Sequence, residues 1–169
     1  MPSAADRRVF FAAAAIILVL DILTKQLALA RLGGGELIPV VGDWIRLHLV
    51  YNRGAAFGLH LGPYSRWIFL VVAVIAAVVL NRLSVTALAG DRFRQLALGL
   101  VAGGAIGNGL DRIRSAQGVV DFLDVGIGAL RWPTFNVADM AVTCGAIALA
   151  LSFWHEDARK PSADAAPAA

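Results

Sequence analysis

Two aspartates stand in apolar surroundings where an ionised carboxylate is costly. Asp121 follows two valines within residues 118–122, and Asp139 lies at the head of an apolar run that continues to Trp154. A charged side chain at bilayer depth costs several kcal/mol, so such a group is usually neutralised, paired or functional. Two carboxylates within hydrogen-bonding reach share a proton, and one then activates water while the other protonates or polarises a carbonyl. The pair predicts amide hydrolysis without a covalent enzyme intermediate.

A purely structural interpretation of the two aspartates stays open on spacing alone. Asp121 would then accept hydrogen bonds from backbone amides, and Asp139 would cap a helix or pair with an arginine.

The composition is that of a small polytopic membrane protein. The 169 residues are 59% hydrophobic and 16% charged, with a mean hydropathy of +0.71, whereas soluble domains are about half apolar and a quarter charged. We predict an all-α membrane protein whose four transmembrane helices carry a small extramembrane β-sheet cap on the side of Asp121. The predicted spans are residues 9–30, 64–83, 93–110 and 133–154, each close to the roughly 17–25 residues that cross a bilayer.

The segments outside the spans divide the chain further. Residues 1–8 are predicted to form a tail, residues 9–156 the membrane domain, and residues 157–169 a disordered C-terminal tail. A β-rich insert is expected at about 33–62, because three glycines break the helix and residues 44–49 alternate in polarity as a strand does. A further short strand is expected at 118–123.

The charge pattern favours membrane topology over nucleic-acid binding. The net charge is +3, and the thirteen arginines and two lysines flank the predicted spans instead of forming a stripe. Seven basic residues fall on each side, so the positive-inside rule does not fix the orientation.

Other catalytic chemistries fit the sequence less well. His48, His60 and His155 are scattered without ligand spacing, which argues against a metal site. No serine stands beside a base, and the single cysteine, Cys144, is interpreted as a packing residue. We therefore predict neither a metal nor another cofactor.

Five motifs occur in order along the chain and give it a resemblance. They are Asp-Ile-Leu-Thr-Lys at 21–25, Asn-Arg-Gly-Ala-Ala-Phe-Gly at 52–58, the glycine-rich segment 103–112 ending in Leu-Asp-Arg, Val-Val-Asp-Phe at 119–122 and Phe-Asn-Val-Ala-Asp at 135–139. Together they cover about residues 10–155, and the chain resembles the bacterial lipoprotein signal peptidase (signal peptidase II) family. Gly109 is a departure, since that family more often has an apolar residue there.

The resemblance implies a function, a site and a location. It implies an aspartyl endopeptidase that cuts diacylglyceryl-modified prolipoproteins just before the lipidated cysteine. It also implies a monomer in the bacterial inner membrane, in contact with membrane lipids and without nucleic acid, with both termini cytoplasmic and the site near the periplasmic face. Asp121 and Asp139 would be the catalytic dyad. The residues that would line or brace the substrate site are Asn52, Gly54, Asn108, Arg112, Asn136 and Ala138.

Several other polar residues are expected to be structural. Asp21 and Lys25 stand at i and i+4 on one helix face, which predicts a bracing ion pair. Asp111 and Arg112 end the third span as an interfacial pair, although the Arg112 guanidinium is also suited to hold a substrate carbonyl. Asp124 is interpreted as a solvated or structural carboxylate.

Three competing functions remain at this point. A small proton-coupled transporter would relay protons through Asp21, Asp121 and Asp139, but predicted spans two and three lack central ionisable groups. A non-catalytic scaffold is the second. A presenilin-like protease is the third, and it would require a Gly-x-Gly-Asp sequence that neither aspartate has.

Overall fold

The computed structural model describes residues 2–54 and 61–159, so residues 55–58 of the second motif lie outside it. Four helices and a four-stranded sheet make up this part of the chain. The helices are α1 (Ala4–Leu32), α2 (Ser65–Thr86, after a short 3-10 turn at Gly62–Tyr64), α3 (Arg92–Arg114) and α4 (Val137–Arg159). The strands are β1 (Leu37–Val41), β2 (Ile45–Asn52), β3 (Val119–Ile127) and β4 (Leu130–Arg131).

Helix α1 begins earlier than the sequence pattern predicts. Ser3 caps it by accepting a hydrogen bond from the Asp6 amide, while the Asp6 carboxylate accepts from the Ser3 amide. Such a reciprocal box satisfies amides that have no partner within the helix. The expected N-terminal tail is therefore helical from Ala4, and at the other end α4 extends to Arg159, three residues into the expected C-terminal tail.

Three of the described helices are long and apolar enough to cross a membrane: Asp6–Leu32, Gly62–Thr86 and Val137–Glu156. The third predicted span forms α3, but α3 does not reach the same apolarity within the described residues. The reason is its central position, since Gly99 and Gly103 contact α1 while Gly104 contacts α4. A helix surrounded by protein does not need an apolar outer surface, so polar residues are tolerated on it.

Small residues set the close approach of α3 to its neighbours. A Cβ built at Gly103 would lie 2.7 Å from the Ala14 carbonyl oxygen of α1, and one at Gly104 would overlap the carbonyl oxygen of Ala138. Close contact through small residues is a common mode of helix packing in membranes. The tight α3–α4 crossing at Gly104 fixes the start of α4, where Asp139 lies.

The sheet is antiparallel with strand order β1-β2-β3-β4. It unites the insert between α1 and α2 with the segment after α3, because β2 pairs with β3 in a register that sets Val50 opposite Asp121 and Asn52 opposite Val119. Strand β3 also runs further than the predicted 118–123. Phe122 packs against Ala28 and Leu32, which anchors β3 to the end of α1.

A ring of charges stabilises the outer part of the sheet. The Asp124 carboxylate accepts hydrogen bonds from Arg46 at 2.6 Å and from Arg131 at 2.9 Å, and both arginines also reach Asp43. Burial alone would raise the pKa of Asp124, but the two arginines outweigh it and hold that pKa below its ordinary value. Asp124 is a buried structural carboxylate rather than a solvated one.

Candidate active site

Asp121 and Asp139 come together where the sheet meets the helix bundle. Asp121 is on β3 and is 1% exposed, while Asp139 lies in the first turn of α4. The predicted fourth span at 133–154 starts too early, since α4 begins at Val137. The four residues before that helix are free to form part of the site.

Asn136 contacts both aspartates. Its side-chain amide donates to Asp121 Oδ1 at 2.7 Å, and its backbone amide donates to Asp139 Oδ2 at 3.2 Å. Its side-chain oxygen accepts from the Asp139 backbone amide at 2.9 Å, so Asn136 and Asp139 form a reciprocal cap at the start of α4. The cap orients both the Asn136 amide and the Asp139 carboxylate.

Two more asparagines complete the hydrogen bonds to the carboxylates. Asn52 donates to Asp121 Oδ2 at 3.1 Å, and its own oxygen accepts from the Gly54 amide at 2.9 Å. Asn108 donates to Asp139 Oδ1 at 2.8 Å. Each aspartate thus has amide donors on both oxygens, which fix the two carboxylates in position.

Lys25 contacts the site through Asn108. Its ammonium group contacts Asp21 at 2.7 Å, Asp111 at 2.8 Å and the Asn108 side-chain oxygen at 2.9 Å. The ion pair expected between Asp21 and Lys25 is present. Asp111, expected to pair with Arg112, is bound to Lys25 instead.

Arg112 does not form the interfacial ion pair with Asp111 that the sequence predicted, and it binds backbone carbonyls instead. Its guanidinium donates to the carbonyl oxygens of Gly54 at 2.8 Å and Asn108 at 3.0 Å, and it lies over the Phe69 ring at 5.6 Å. Arg66 of α2 in turn donates to the Arg112 carbonyl. Arg112 therefore links α3 to the segment after β2.

Ala138 is fully buried between α1 and α3. Its backbone amide donates to Asp21 Oδ1 at 3.0 Å, and its carbonyl oxygen faces Gly104. A larger side chain has no room at this crossing, so Ala138 supports the site through its small size.

The electrostatic setting favours one proton on the two aspartates. Burial raises the pKa of Asp121 to about 7, and the nearby charge of Asp139 adds to the effect, while the amides of Asn52 and Asn136 oppose it. The Asp121 carboxyl group therefore keeps its proton to a higher pH than an ordinary aspartate does.

Two adjoining cavities give access to the carboxylates. Asp139 lines a cavity of about 540 Å³, together with Arg112 and a largely apolar wall that includes Val119, Phe135, Met140 and Val142. Asp121 lines a cavity of about 330 Å³ beside Arg53 and Gly54. Asn52, Pro133 and Thr134 line both.

The segment 132–135 was missed by the sequence prediction as part of the site. Trp132, Pro133, Thr134 and Phe135 line the larger cavity. The available signal was Pro133, because a proline favours the start of a helix or the turn before it, not the interior of a span. Within the described part of the chain no three His, Cys, Asp or Glu side chains are grouped as metal ligands; His60 lies outside that part.

Comparisons with known proteins agree with this geometry. The signal peptidase (SPase) II family matches residues 13–155. Curated relatives named lipoprotein signal peptidase include one from Rhodococcus jostii, 41% identical over 85% of this chain and 71% of its own, and one from Halothermothrix orenii, 39% identical over 84% and 92%. A third, from Francisella tularensis subsp. novicida, is 38% identical over 83% and 88%.

Solved structures give the same result for the fold. A bacterial membrane enzyme determined by the in meso method at 2.3 Å resolution superposes with a TM-score of 0.79 and 26% identity, covering 93% of this chain and 94% of its own. A second bacterial membrane enzyme, at 1.9 Å, gives 0.75 and 27% over 85% and 91%. The apolar helices indicate a membrane protein, and the matched family defines it as a protease. The chain belongs to the signal peptidase II family.

Proposed function

We propose that the protein is an aspartic endopeptidase that removes the signal peptide from diacylglyceryl-modified prolipoproteins by cutting just before the lipidated cysteine. Membership of the signal peptidase II family supports this proposal, as do relatives named lipoprotein signal peptidase. The observation that carries the aspartic mechanism is the position of Asn136, which hydrogen-bonds both Asp121 and Asp139.

In the proposed reaction the dyad acts as an acid and a base. We assign the acid role to Asp121, whose pKa burial raises to about 7, and the base role to Asp139. Asp139 removes a proton from water as the water oxygen bonds to the scissile carbonyl carbon, while Asp121 protonates the carbonyl oxygen. The carbon–nitrogen bond then breaks, the proton held by Asp139 goes to the leaving nitrogen, and Asp121 recovers its own from the new carboxyl group.

The larger cavity is suited to a lipidated substrate. Its wall beyond Asp139 is largely apolar, and Asp139, Val142 and Thr143 follow one face of α4 at i, i+3 and i+4. Each buried CH₂ of an acyl chain contributes about 0.8 kcal/mol, so two chains would hold the cysteine at a defined depth. Arg112 uses two of its donors on protein carbonyls, and its remaining N–H groups are available to a substrate carbonyl in this cavity.

We assign α3 as a fourth membrane span. Its 23 residues extend about 34 Å, which is sufficient for a hydrocarbon core of roughly 30 Å. Four spans place both termini on one side, and the sheet and dyad on the other. In line with the family resemblance, we propose that the termini lie in the cytoplasm, that the site lies at the periplasmic face of the bacterial inner membrane, and that the enzyme acts as a monomer.

Exposed tryptophans are consistent with a site at the membrane surface. Trp44 and Trp132, on the sheet side, are 64% and 57% exposed. Tryptophan is enriched where a protein passes from lipid to water.

Cleavage of matched peptides tests the proposal. Purified enzyme receives a lipobox peptide carrying diacylglycerol on its cysteine, and the same peptide with a free thiol, in one detergent. We expect a single cut just before the cysteine and a kcat/KM at least tenfold higher for the lipidated peptide. Equal values for both peptides, or a cut elsewhere, would contradict the proposed substrate class.

A further inference from the structure

A buried cluster of three charges, Asp21, Lys25 and Asp111, connects to the backbone beside each aspartate of the dyad. We call it the lysine cluster. Lys25 is 2% exposed and donates to Asp21, Asp111 and Asn108, so all three of its N–H groups are used. A simple helix brace would need only the pair between Asp21 and Lys25.

Each carboxylate of the cluster also binds one backbone amide. Asp21 Oδ1 accepts from the amide of Ala138 at 3.0 Å, and Asp111 Oδ2 accepts from the amide of Val120 at 3.2 Å. Ala138 directly precedes Asp139, and Val120 directly precedes Asp121. The two carboxylates therefore hold the two peptide segments on which the dyad stands, and Lys25 holds the carboxylates together.

Lys25 also determines which way the Asn108 amide faces. An ammonium group only donates, so the Asn108 oxygen must face Lys25 and its NH₂ group must face Asp139, to which it donates at 2.8 Å. The same Asn108 oxygen accepts from the Asn136 amide at 3.0 Å, and Asn136 in turn donates to Asp121. One chain of hydrogen bonds thus runs from Lys25 to both catalytic carboxylates.

We propose that the lysine cluster is a positioning and charge-balancing unit for the dyad, which sets kcat and the pH range of cleavage in addition to stabilising the bundle. This inference rests on the proposed aspartic mechanism. Lys25, Asp21 and Asp111 touch no substrate in it and act through Asn108 and the two backbone amides.

Charge counting gives the inference a directional test. The dyad with one proton carries one negative charge, and the lysine cluster adds a net charge of −1. The charged groups that face the dyad are Asp21 and Lys25 from α1, Asp111 and Arg112 from α3, Arg53 after β2, and Arg66 from α2 behind Arg112. Removing the positive charge of Lys25 should raise the pKa of the dyad, whereas removing the negative charge of Asp111 should lower it.

The test compares Lys25→Met and Asp111→Asn with a matched control. Arg94 of α3 is also a cation between two carboxylates, Asp91 and Glu156, but it lies at the other end of the bundle, where Glu156 is near the end of α4. Arg94→Met should lower the Tm, and kcat per folded enzyme should stay within about threefold of wild type. Lys25→Met and Asp111→Asn should lower kcat by roughly 10–100-fold, within the range by which displaced catalytic groups lose activity, with KM changed less than threefold.

The pH dependence separates positioning from simple bracing. The alkaline limb of kcat/KM should move up by about 0.5–1 pH unit in Lys25→Met and down by a similar amount in Asp111→Asn, a smaller effect than the 1–3 units of a direct ion pair. The inference would be overturned if Lys25→Met and Asp111→Asn lowered the Tm but kept the wild-type kcat per folded enzyme and the wild-type alkaline limb.

A second measurement does not depend on activity. Infrared titration in detergent follows the dyad carboxyl band, which is assigned by its loss in Asp121→Asn. The pH at which this band titrates should rise in Lys25→Met and fall in Asp111→Asn. If wild-type enzyme failed to cut the lipidated peptide, the proposed function would fail, but opposite shifts of the band would still support charge balancing. Shifts of equal sign would contradict it. Asp111→Asn keeps the shape of the side chain, so it supplies the result if Lys25→Met does not fold.

Discussion

The side-chain amide of Asn136, the residue directly before helix α4, donates to Asp121 of strand β3 at 2.7 Å. Asn136 also caps α4, so one residue stabilises a helix and orients the Asp121 carboxylate. These two roles can be separated by substitution.

Asn136→Ala and Asn136→Ser provide that separation. Serine is a good helix cap but cannot reach Asp121 as the longer amide does, whereas alanine lacks both contacts. We expect Asn136→Ala to lose about 1–2 kcal/mol of stability from the cap, in addition to the cost of the lost amide bonds, and Asn136→Ser to lose less in thermal unfolding because it keeps the cap. Both should lose kcat by roughly 100-fold, in the range found for general acid–base catalysis. Activity of Asn136→Ser within threefold of wild type would show that the bond to Asp121 is dispensable.

The raised pKa of Asp121 predicts a stability that depends on pH. Its folded-state pKa of about 7 lies above the ordinary 3.8, mainly because of burial. The folded protein therefore binds this proton more tightly than the unfolded chain, so the stabilisation is complete below pH 4 and is lost as pH rises from about 4 to 7. In Asp121→Asn this loss should disappear, which thermal unfolding between pH 4 and 8 will measure. A wild-type Tm that rises over this window, or an identical slope in the variant, would be inconsistent with the assignment.

Gly104 and Gly109 lie on the same helix but should respond differently to alanine. A Cβ at Gly104 would overlap the Ala138 carbonyl oxygen, whereas one at Gly109 would lie 3.6 Å from Ala73 in ordinary contact. We expect Gly109→Ala to gain about 0.5–1 kcal/mol through helix propensity. Gly104→Ala should lose stability and activity together because α4 carries Asp139. Unfolding curves and cleavage rates of the two variants check this, and equal tolerance at both positions would be the contrary result.

Activity should not depend on a metal ion. The proposed reaction uses only the proton shared by Asp121 and Asp139. Prolonged dialysis against a strong chelator should leave kcat/KM within twofold of the untreated enzyme. Loss of activity that added zinc restores would contradict the dyad mechanism.

The sequence singled out Asp121, Asp139 and the three asparagines because each is a polar residue in an apolar chain, and the structure brings these side chains together. Their catalytic role remains a prediction. The sequence predicted a strand at 44–49 from alternating polarity and one near 118–123 from its valines and phenylalanine, and β2 and β3 lie there. It did not predict that α3 would be the central helix and less apolar than the other three. The position of a helix among its neighbours depends on the whole fold.

Long-range partners were the least predictable part of the site. The pairing of Asp111 with Lys25 joins α3 to α1, and no local spacing rule connects positions so far apart. An i, i+4 rule did predict the pair of Asp21 with Lys25. Residues 133–135 were assigned to the fourth span by their apolarity, although a proline such as Pro133 also occurs in the turn before a helix.

Cleavage of a lipidated lipobox peptide by Asp121→Asn and Asp139→Asn tests the central claim most directly. Each change keeps the shape of the side chain and removes one member of the proton-sharing pair. Asp124→Asn is the control, because Asp124 is a buried aspartate of the same strand as Asp121, and within the described residues its ion pairs are with Arg46 and Arg131. We predict that both dyad variants remain folded and lose kcat/KM by roughly 10²–10⁴-fold or more. The kcat/KM of Asp124→Asn per folded enzyme should stay within about tenfold of wild type. Near wild-type cleavage by either dyad variant would contradict the account.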